Sequence, residues 1–310
     1  MRRRSIMKST TALGAAAVLG LGLAACSVEE DGGDSGGSGG DIDFGLPEGE
    51  GDLTLAFIPG WDEGVVATEV WRQALEDAGY DVSVEEISEA GVLYEGLASG
   101  DIDVYLDGWL PITHATYMEE YGDQLETLGT WNENAVLTVA VPSYVDGIDS
   151  LTELNDNAEL FDNRIVGIEP SAGLTEAVAE SSIPTYGIED LELETSTTAS
   201  MLSELDTAIA SEEPIVVTLW QPHWAYSKYD LKNLEDPELT LGEVETINTM
   251  ATAGFSDEHA ELAEILSTFK MSDEQLASLE QSVFDDNDGD VEAGTTAWLE
   301  ENDFSELISQ

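Results

Sequence analysis

Residues 53–87 read LTLAFIPGWDEGVVATEVWRQALEDAGYDVSVEEI and contain three successive elements. The apolar run at 53–58 is short enough to be a buried strand. Apolar positions then recur at helical spacing over 65–78, and Gly79 ends that helix just before a second β-like run at 80–87. The order strand, helix, strand predicts a βαβ unit, in which the two strands are parallel.

The alternation of strand and helix continues and then begins again further along the chain. The first series goes on with a helix at 91–99 and a strand at 102–106, and the second has a strand at 164–168, helices near 174–180 and 199–210, and a strand at 215–219. This rhythm predicts an α/β protein with two lobes, each a parallel sheet with helices on both faces. The stretches 135–141 and 244–249 are predicted to cross between the lobes as the hinge, and the helical tail to return to the first lobe.

The first 25 residues have the pattern of a signal peptide. A basic start precedes an apolar run at 11–25, which is too short and too poorly flanked for a settled membrane span. The run ends in LAAC at 23–26, which resembles a bacterial lipobox. That resemblance implies that Cys26 is acylated and anchors the mature protein to the extracytoplasmic face of the cell membrane. An ordinary signal peptide with a chance cysteine is the alternative.

The segment 26–52 is predicted to be a flexible tether, because a stretch rich in Gly, Ser, Asp and Glu cannot bury a core. The folded part is then predicted to have lobe I at 53–138 plus 248–310 and lobe II at 139–247. Cys26 is the only cysteine, so no disulfide is possible within one chain.

The chain is strongly acidic, with 66 Asp and Glu against nine Lys and Arg and a net charge of −57. This charge excludes nucleic-acid binding, which needs a basic face. A hydrophobic content of 42% and seven tryptophans indicate a packed core rather than a disordered chain. We interpret the dispersed acidic residues as a solvated coat for a high-salt medium, where screening suppresses self-repulsion.

Three tryptophans, Trp61, Trp109 and Trp220, follow predicted strands in segments that contain Gly or Pro. Ligands of α/β sheets bind at the carboxyl ends of strands, so three large aromatic side chains in equivalent turns indicate one shared role. Trp224 lies in the same segment as Trp220 and competes for that role, but Trp220 follows its strand directly, so we expect Trp224 to pack and His223 to be structural. The other tryptophans expected to pack are Trp71, Trp131 and Trp298.

The face of an indole ring attracts cations. A cation over it gains ~0.5–1 kcal/mol when exposed and ~2 kcal/mol or more when desolvated, so three rings supply on the order of 3–6 kcal/mol. A quaternary ammonium group donates no hydrogen bonds, and an aromatic box selects it over Na⁺ and primary amines, which a carboxylate cage would also hold. The three tryptophans therefore predict a site for a large, weakly hydrated cation.

The turn at 167–174 follows a predicted strand and opens a helix, where free backbone N–H groups can hold a carboxylate. Gly173 would let the backbone approach closely, and His114, five residues after Trp109, is a candidate hydrogen-bond donor. An ordinary helix entry and a capping or packing histidine are the structural alternatives. Beside a cation box, these groups predict a zwitterionic ligand.

Six longer segments carry a family resemblance. They are GWDEG at 60–64, YEGLASGDID at 94–103, DGWLP at 107–111, GIEP at 167–170, WQPHW at 220–224 and YDLKNLEDP at 229–237. Together they resemble the substrate-binding proteins of glycine betaine/proline betaine ABC transporters, over nearly the whole chain from residue 53. The resemblance implies a two-lobe type II periplasmic-binding-protein fold that closes on its ligand. In that family three tryptophans surround the trimethylammonium group, and two main-chain amides and a histidine hold the carboxylate.

On the matching positions of this chain, the resemblance implies a box of Trp61, Trp109 and Trp220 and a carboxylate clamp made by the amides of Gly173 and Leu174 and the side chain of His114. The family often has Gly-Ser-Gly after the Glu-Pro pair, where this chain has Ser-Ala-Gly at 171–173. The resemblance also implies uptake of glycine betaine or a related osmolyte through an ABC permease, with no cofactor and no enzymatic activity.

Other functions remain as alternatives. A choline- or carnitine-binding protein would belong to the same transporter class, but choline would leave the carboxylate clamp idle. An enzyme acting on small amines would use His114 as general base and lacks a second titratable partner. A structural surface lipoprotein would leave the three tryptophans unexplained. The sequence has no zinc spacing or phosphate-binding motif, and the acidic run at 285–290 fails the calcium-loop pattern.

Overall fold

The structure, a computed structural model, describes residue 42 and residues 44–308. The predicted signal peptide, Cys26 and most of the predicted tether lie outside the described residues. The prediction of a flexible tether up to residue 52 is wrong at its described end, because Phe44 is 4% exposed and its ring contacts Phe304 with centroids 5.2 Å apart. Among the helices of the described part, none is both long and apolar enough to cross a membrane.

The strands are β1 (Asp52–Phe57), β2 (Asp81–Glu86), β3 (Val104–Leu110), β4 (Leu125–Pro142), β5 (Arg164–Gly167), β6 (Glu192–Thr195), β7 (Val217–Gln221), β8 (Leu231–Asn233) and β9 (Glu245–Thr252). The α-helices are α1 (Asp62–Asp77), α2 (Ala90–Ser99), α3 (Ala115–Tyr121), α4 (Gly173–Glu176), α5 (Ile183–Tyr186), α6 (Thr198–Ser211), α7 (Ala225–Lys228), α8 (Phe255–Glu258), α9 (Ala260–Thr268), α10 (Asp273–Gln281), α11 (Val291–Glu301) and α12 (Ser305–Ile308). Wider π-helical turns at Ala177–Ser182 and Ser282–Asp286 continue α4 and α10.

The strands are arranged in the order β2-β1-β3-β9-β4-β7-β5-β6, with β8 beside β4. The long strand β4 joins two halves, because its residues 125–135 pair with β9 and its residues 136–142 pair with β7 and β8. We call the half that ends at β2 the first sheet and the half that ends at β6 the second sheet. Helices flank both halves, as the α/β prediction requires.

The prediction of purely parallel sheets is wrong. β1 is parallel to β2 and β3, and β5 is parallel to β6 and β7, but β9 and β4 pair antiparallel with their neighbours. These antiparallel strands contain the two predicted crossings, since 135–141 lies in β4 and 244–249 overlaps β9. An apolar run predicts that a strand forms, but it does not predict the direction in which the strand pairs.

Helix α1 connects the first sheet to the C-terminal helices. The ring of Trp71 on α1 makes edge contacts at 5.5 Å between centroids with Phe269 and with Phe304. Helices α10 and α11 also pack against α1. The tail therefore returns to the first sheet, as expected, whereas the residue boundaries of the two lobes stay predictions.

Candidate ligand-binding site

One cavity is lined by residues from both sheets and from the turns beside them. The lining consists of Trp61, Glu63, Trp109, Thr113, His114, Leu137, Ile168, Ala172, Gly173, Leu174 and Trp220. The structure thus brings together all six residues that the sequence predicts as ligand-binding. Their role in binding stays a prediction.

The first sheet positions two of the tryptophans and the second sheet positions the third. Trp61 lies in the turn between β1 and α1, but Trp109 lies in β3 and Trp220 in β7, each two residues before a cis proline. The prediction that these two lie in turns is therefore wrong. Trp109 is in register with Ile247 and Trp220 with Leu137, so ladder hydrogen bonds fix the backbone that carries both rings.

The three indole rings are almost completely buried. Trp61, Trp109 and Trp220 are 6%, 3% and 4% exposed. The indole N–H of Trp109 donates to Asp107 Oδ1 at 2.8 Å, and the ring of Trp61 stacks on the His114 imidazole with centroids 5.8 Å apart. A cation among these rings would lose its water, which is the condition under which cation–π attraction is strongest.

The spacing of Trp109 and His114 closes a compact backbone turn. The Trp109 carbonyl accepts from the His114 N–H, and the Trp109 N–H donates to His114 Nδ1, each at 3.0 Å. The hydroxyl of Tyr94 also lies 3.0 Å from Nδ1. Because Nδ1 accepts a hydrogen bond, the neutral ring carries its proton on Nε2.

His114 Nε2 is buried and has no hydrogen-bond partner among the described residues. Burial lowers the pKa of His114 to about 3, so the ring is neutral at physiological pH. Since His114 lines the cavity, its Nε2–H is an unused donor in the cavity wall.

The amides of Gly173 and Leu174 lie in the first turn of α4, where backbone N–H groups lack partners within the helix. Neither amide has a backbone or side-chain acceptor elsewhere in the described part of the chain. The turn before them is held by Glu169, whose carboxylate accepts from the Thr198 N–H at 2.7 Å and the Thr198 hydroxyl at 2.9 Å. With His114, these amides give the cavity a set of hydrogen-bond donors suited to an anion.

Glu63 also lines the cavity, and the sequence reasoning did not single it out. It is 1% exposed, and its Oε2 has no hydrogen-bond partner among the described residues. Burial raises the pKa of Glu63 well above its usual range, and the nearby Asp107 raises it further. The sequence signal for this residue is its place two positions after Trp61; its burial is a tertiary effect.

Trp224 and His223 lie outside the cavity lining, which agrees with the expectation that they pack. The Trp224 indole N–H donates to Asp62 Oδ2 at 2.5 Å, and Lys228 Nζ lies 5.2 Å from the centroid of the same ring. His223 Nδ1 accepts from the Ala225 N–H at 3.0 Å. Burial raises the pKa of Asp62 to about 7, against the opposing effect of the Trp224 hydrogen bond.

The remaining tryptophans of the sequence lie in the core. Trp71, Trp131 and Trp298 are buried in the core and do not line the cavity. Over the residues that the structure describes, including the acidic run at 285–290, no group of three or more His, Cys, Asp or Glu could hold a metal ion.

Known proteins resemble this chain both in sequence and in structure. A family model described as the substrate binding domain of ABC-type glycine betaine transport systems matches residues 51–301. The glycine betaine/carnitine transport binding protein GbuC of Listeria monocytogenes is 35% identical over 150 residues, which are 47% of this chain and 49% of that protein. The match therefore spans about half the length of the Listeria protein.

Two solved structures extend the likeness to the fold. Lactococcal OpuAC in a closed conformation with glycine betaine has a TM-score of 0.75 and 30% identity, and the match covers 83% of this chain and 99% of that one. A choline binding protein of an ABC transporter in complex with choline has a TM-score of 0.73 and 25% identity, with 82% and 89% covered. This likeness confirms the fold class predicted from the sequence.

Proposed function

Because this chain belongs to the family of substrate-binding domains of ABC-type glycine betaine transport systems, we propose that it captures glycine betaine, or a closely related quaternary ammonium osmolyte, outside the cytoplasm and delivers it to an ABC permease. The family consists of proteins that bind a substrate for transport. The proposal accordingly gives no residue a catalytic role.

The observation that carries the proposal is the convergence of Trp61, Trp109 and Trp220 from two sheets on one cavity. Each buried ring contributes about 2 kcal/mol to holding a desolvated cation. Three such contacts supply about 6 kcal/mol, so a receptor with a Kd of about 1 μM, or about 8 kcal/mol net, needs further contacts to offset the cost of association. The trimethylammonium group of glycine betaine meets these requirements because it is bulky, permanently charged and unable to donate a hydrogen bond.

The donors elsewhere in the cavity wall suit the other end of a zwitterion. His114 Nε2–H and the amides of Gly173 and Leu174 have no partner among the described residues. A buried donor without a partner costs about 1–3 kcal/mol, and a hydrogen bond to a charged acceptor is worth about 1.5–3 kcal/mol. A ligand carboxylate would therefore satisfy these donors while its ammonium group occupies the tryptophan box.

Each sheet supplies only part of the site, so the ligand would bridge the two. Contacts beside the cavity also connect residues of the two halves: the Tyr117 hydroxyl donates to the Ser171 carbonyl at 3.5 Å, and the Trp224 indole donates to Asp62. In the proposed mechanism the ligand shifts the population toward a closed state, and the permease recognises that state.

The N-terminal pattern supports a lipid anchor as part of the proposal. LAAC at 23–26 would place an acylated Cys26 in the membrane, with the acidic, glycine-rich segment after it as a tether. Expression of a Cys26→Ser variant in a bacterial host that acylates lipoproteins tests this: the variant should leave the membrane fraction, and retention there would contradict the anchor.

Choline is a second candidate ligand. The solved choline-binding structure has a similar fold, and Glu63 adds an acidic group to the cavity. An ionised carboxylate there would favour a ligand with a net positive charge, whereas glycine betaine has none. The two ligands differ in their use of the clamp: the carboxylate of glycine betaine would accept from its donors, whereas choline has no carboxylate.

Titration calorimetry of the full chain with glycine betaine, choline, carnitine and proline tests the proposal. We expect binding of glycine betaine with a Kd in the micromolar range, weakened at least about tenfold in Trp220→Ala because one desolvated cation–π contact is lost. The matched control is Trp298→Phe, a change in a core tryptophan away from the cavity. Absence of binding for every quaternary ammonium ligand at millimolar concentration would refute the proposed function.

A further inference from the structure

Four carboxyl groups are buried beside the tryptophan box. Asp62 and Glu63 come from α1, Asp107 from β3 and Glu280 from α10, and none is more than 6% exposed. Isolated buried carboxylates are unfavourable, so such a group must be neutral, hydrogen-bonded or matched by a positive charge.

No charged basic side chain in the described part of the chain neutralises this cluster: His223 Nε2 lies 3.9 Å from Asp62 Oδ2, but burial lowers the pKa of His223 to about 3 and keeps the ring neutral. Arg72 pairs with Glu69 and Glu76, Arg164 with Glu194 and Glu204, Lys228 with Asp285, and Lys232 with Asp149, while Lys270 donates to the Thr130 carbonyl. The positive charge that balances the cluster must therefore come from bound protons or from a ligand.

Glu63 is the member of the cluster that can meet a ligand. It lines the cavity, and its Oε2 has no partner among the described residues. Asp62 and Asp107 do not line the cavity, and each accepts an indole N–H, from Trp224 and Trp109 respectively. Glu280 is fully buried on α10, away from the lining.

The titratable groups that face Glu63 favour its neutral form, whereas its own backbone amide and the Trp220 indole favour the carboxylate and only partly offset the effect of burial. Asp62 lies beside it on α1, Asp107 and Tyr105 face it from β3, and Glu280 from α10. None of these groups is a cation, and His114 in the same cavity wall is neutral. Burial and this negative surrounding raise the pKa of Glu63 well above its usual range.

We propose that Glu63 is a further ligand-contacting residue, whose carboxyl proton is exchanged for the quaternary ammonium group of the ligand. The inference rests on the proposed function and deepens it. In the exchange, the O–H bond of the Glu63 carboxyl breaks and the proton passes to solvent. The remaining carboxylate balances the ligand cation, so one positive charge enters the cavity as another leaves, and no bond to the ligand forms.

Two consequences follow from this exchange. Ligand affinity rises with pH wherever Glu63 is protonated in the empty protein and ionised in the complex. A cation without a carboxylate, such as choline, depends on Glu63 more than glycine betaine does, because the negative end of a zwitterion offsets part of the attraction.

Calorimetric titration of glycine betaine and choline tests the exchange, in pairs of buffers with different ionisation enthalpies at several pH values between about 5 and 9. For the unmodified chain we expect release of about one proton per ligand over part of this range, with affinity rising up to about tenfold per pH unit there. Glu63→Gln, which resembles the protonated acid, should bind without proton release and with a flat pH profile. Glu76→Gln, an exposed position on the same helix, should behave like the unmodified chain.

Binding without proton release at any pH, or release that persists in Glu63→Gln, would overturn this inference and leave the proposed function intact. Failure of the unmodified chain to bind either ligand would instead refute the proposed function. A thermal melt of Glu63→Gln shows whether the variant is folded. If Glu63→Gln is not folded, the titrations use Glu63→Asp instead. Proton release by Glu63→Asp at a shifted pH would support the exchange. A pH profile identical to that of the unmodified chain would contradict it.

Discussion

The Cα of Gly173 lies so close to Thr113 that a Cβ added at Gly173 would stand 2.5 Å from the Thr113 carbonyl oxygen and 2.7 Å from its Cγ2. Thr113 cannot move aside easily, because its N–H donates to Glu245 at 2.9 Å and its hydroxyl donates to the same carboxylate. Both residues line the cavity, one beside each sheet. The glycine therefore permits the close approach of the two halves at the proposed carboxylate clamp.

We expect Gly173→Ala to weaken glycine betaine binding by about 1–3 kcal/mol, roughly 5- to 150-fold, because a methyl group there overpacks the contact with Thr113. Titration calorimetry measures the change. Gly91→Ala is the matched control, since its added Cβ would meet a single atom of Tyr117 at an ordinary 3.6 Å. Equal affinities for Gly173→Ala and the unmodified chain would show that this approach is not needed for binding.

Removal of the His114 side chain should separate the two candidate ligands. His114→Ala is expected to lower glycine betaine affinity by about 1.5–3 kcal/mol, the value of a hydrogen bond to a charged group, and to change choline affinity much less. The same titrations with His259→Ala, a histidine outside the cavity lining, provide the control. An equal loss for both ligands would contradict a role for His114 in holding a carboxylate.

Because Asp62 is buried, we expect the stability of the protein to depend on pH. Its pKa is about 7 in the folded protein against 3.8 as the usual value, so the folded state binds the proton more tightly than the unfolded state. The contribution of Asp62 to the free energy of unfolding is fully present below pH 3.8 and is lost as the pH rises through 7. At about 1.4 kcal/mol per pKa unit, the loss is up to about 4 kcal/mol.

Asp62→Asn should therefore raise the free energy of unfolding above pH 7 and leave it nearly unchanged near pH 4, since asparagine cannot ionise and still accepts from Trp224. Chemical unfolding at both pH values measures this, with the exposed Asp77→Asn on the same helix as control. A stabilisation of similar size at both pH values would show that ionisation of Asp62 is not its cause.

The acidic composition predicts a strong dependence of stability on salt. With a net charge of −57, self-repulsion should lower the free energy of unfolding at low ionic strength, and molar salt should restore it, because the screening length falls to about 3 Å at 1 M. Thermal melts across a series of KCl concentrations measure the effect. Equal stability with and without molar KCl would contradict the interpretation of the acidic surface as a high-salt coat.

The local pattern of the sequence predicted most elements close to their observed bounds. The strand expected at 53–58 is β1 at Asp52–Phe57, and the helix expected at 199–210 is α6 at Thr198–Ser211. Such elements follow from apolar periodicity and from the residues that end them, which neighbours along the chain determine.

Other features could not be predicted in this way. Trp109 and Trp220 were expected in turns but belong to strands, because the length of a strand depends on which partner continues its ladder. Glu63 follows a motif tryptophan in an ordinary helix start, and nothing local distinguishes it from an exposed acid. Its burial results from β3 and α10 packing against α1.

The sequence by itself determined the kind of fold, the aromatic and donor groups available for a zwitterion, and the family to which the chain belongs. The tertiary structure alone decided that three tryptophans from two sheets line one cavity, that His114 keeps its proton on Nε2, and that an acidic residue is buried beside the rings. The physical reason is the distance along the chain over which each effect acts. Periodicity and turn chemistry act between neighbours along the chain. Desolvation, hydrogen-bond partners and charge balance depend on residues that only folding brings together.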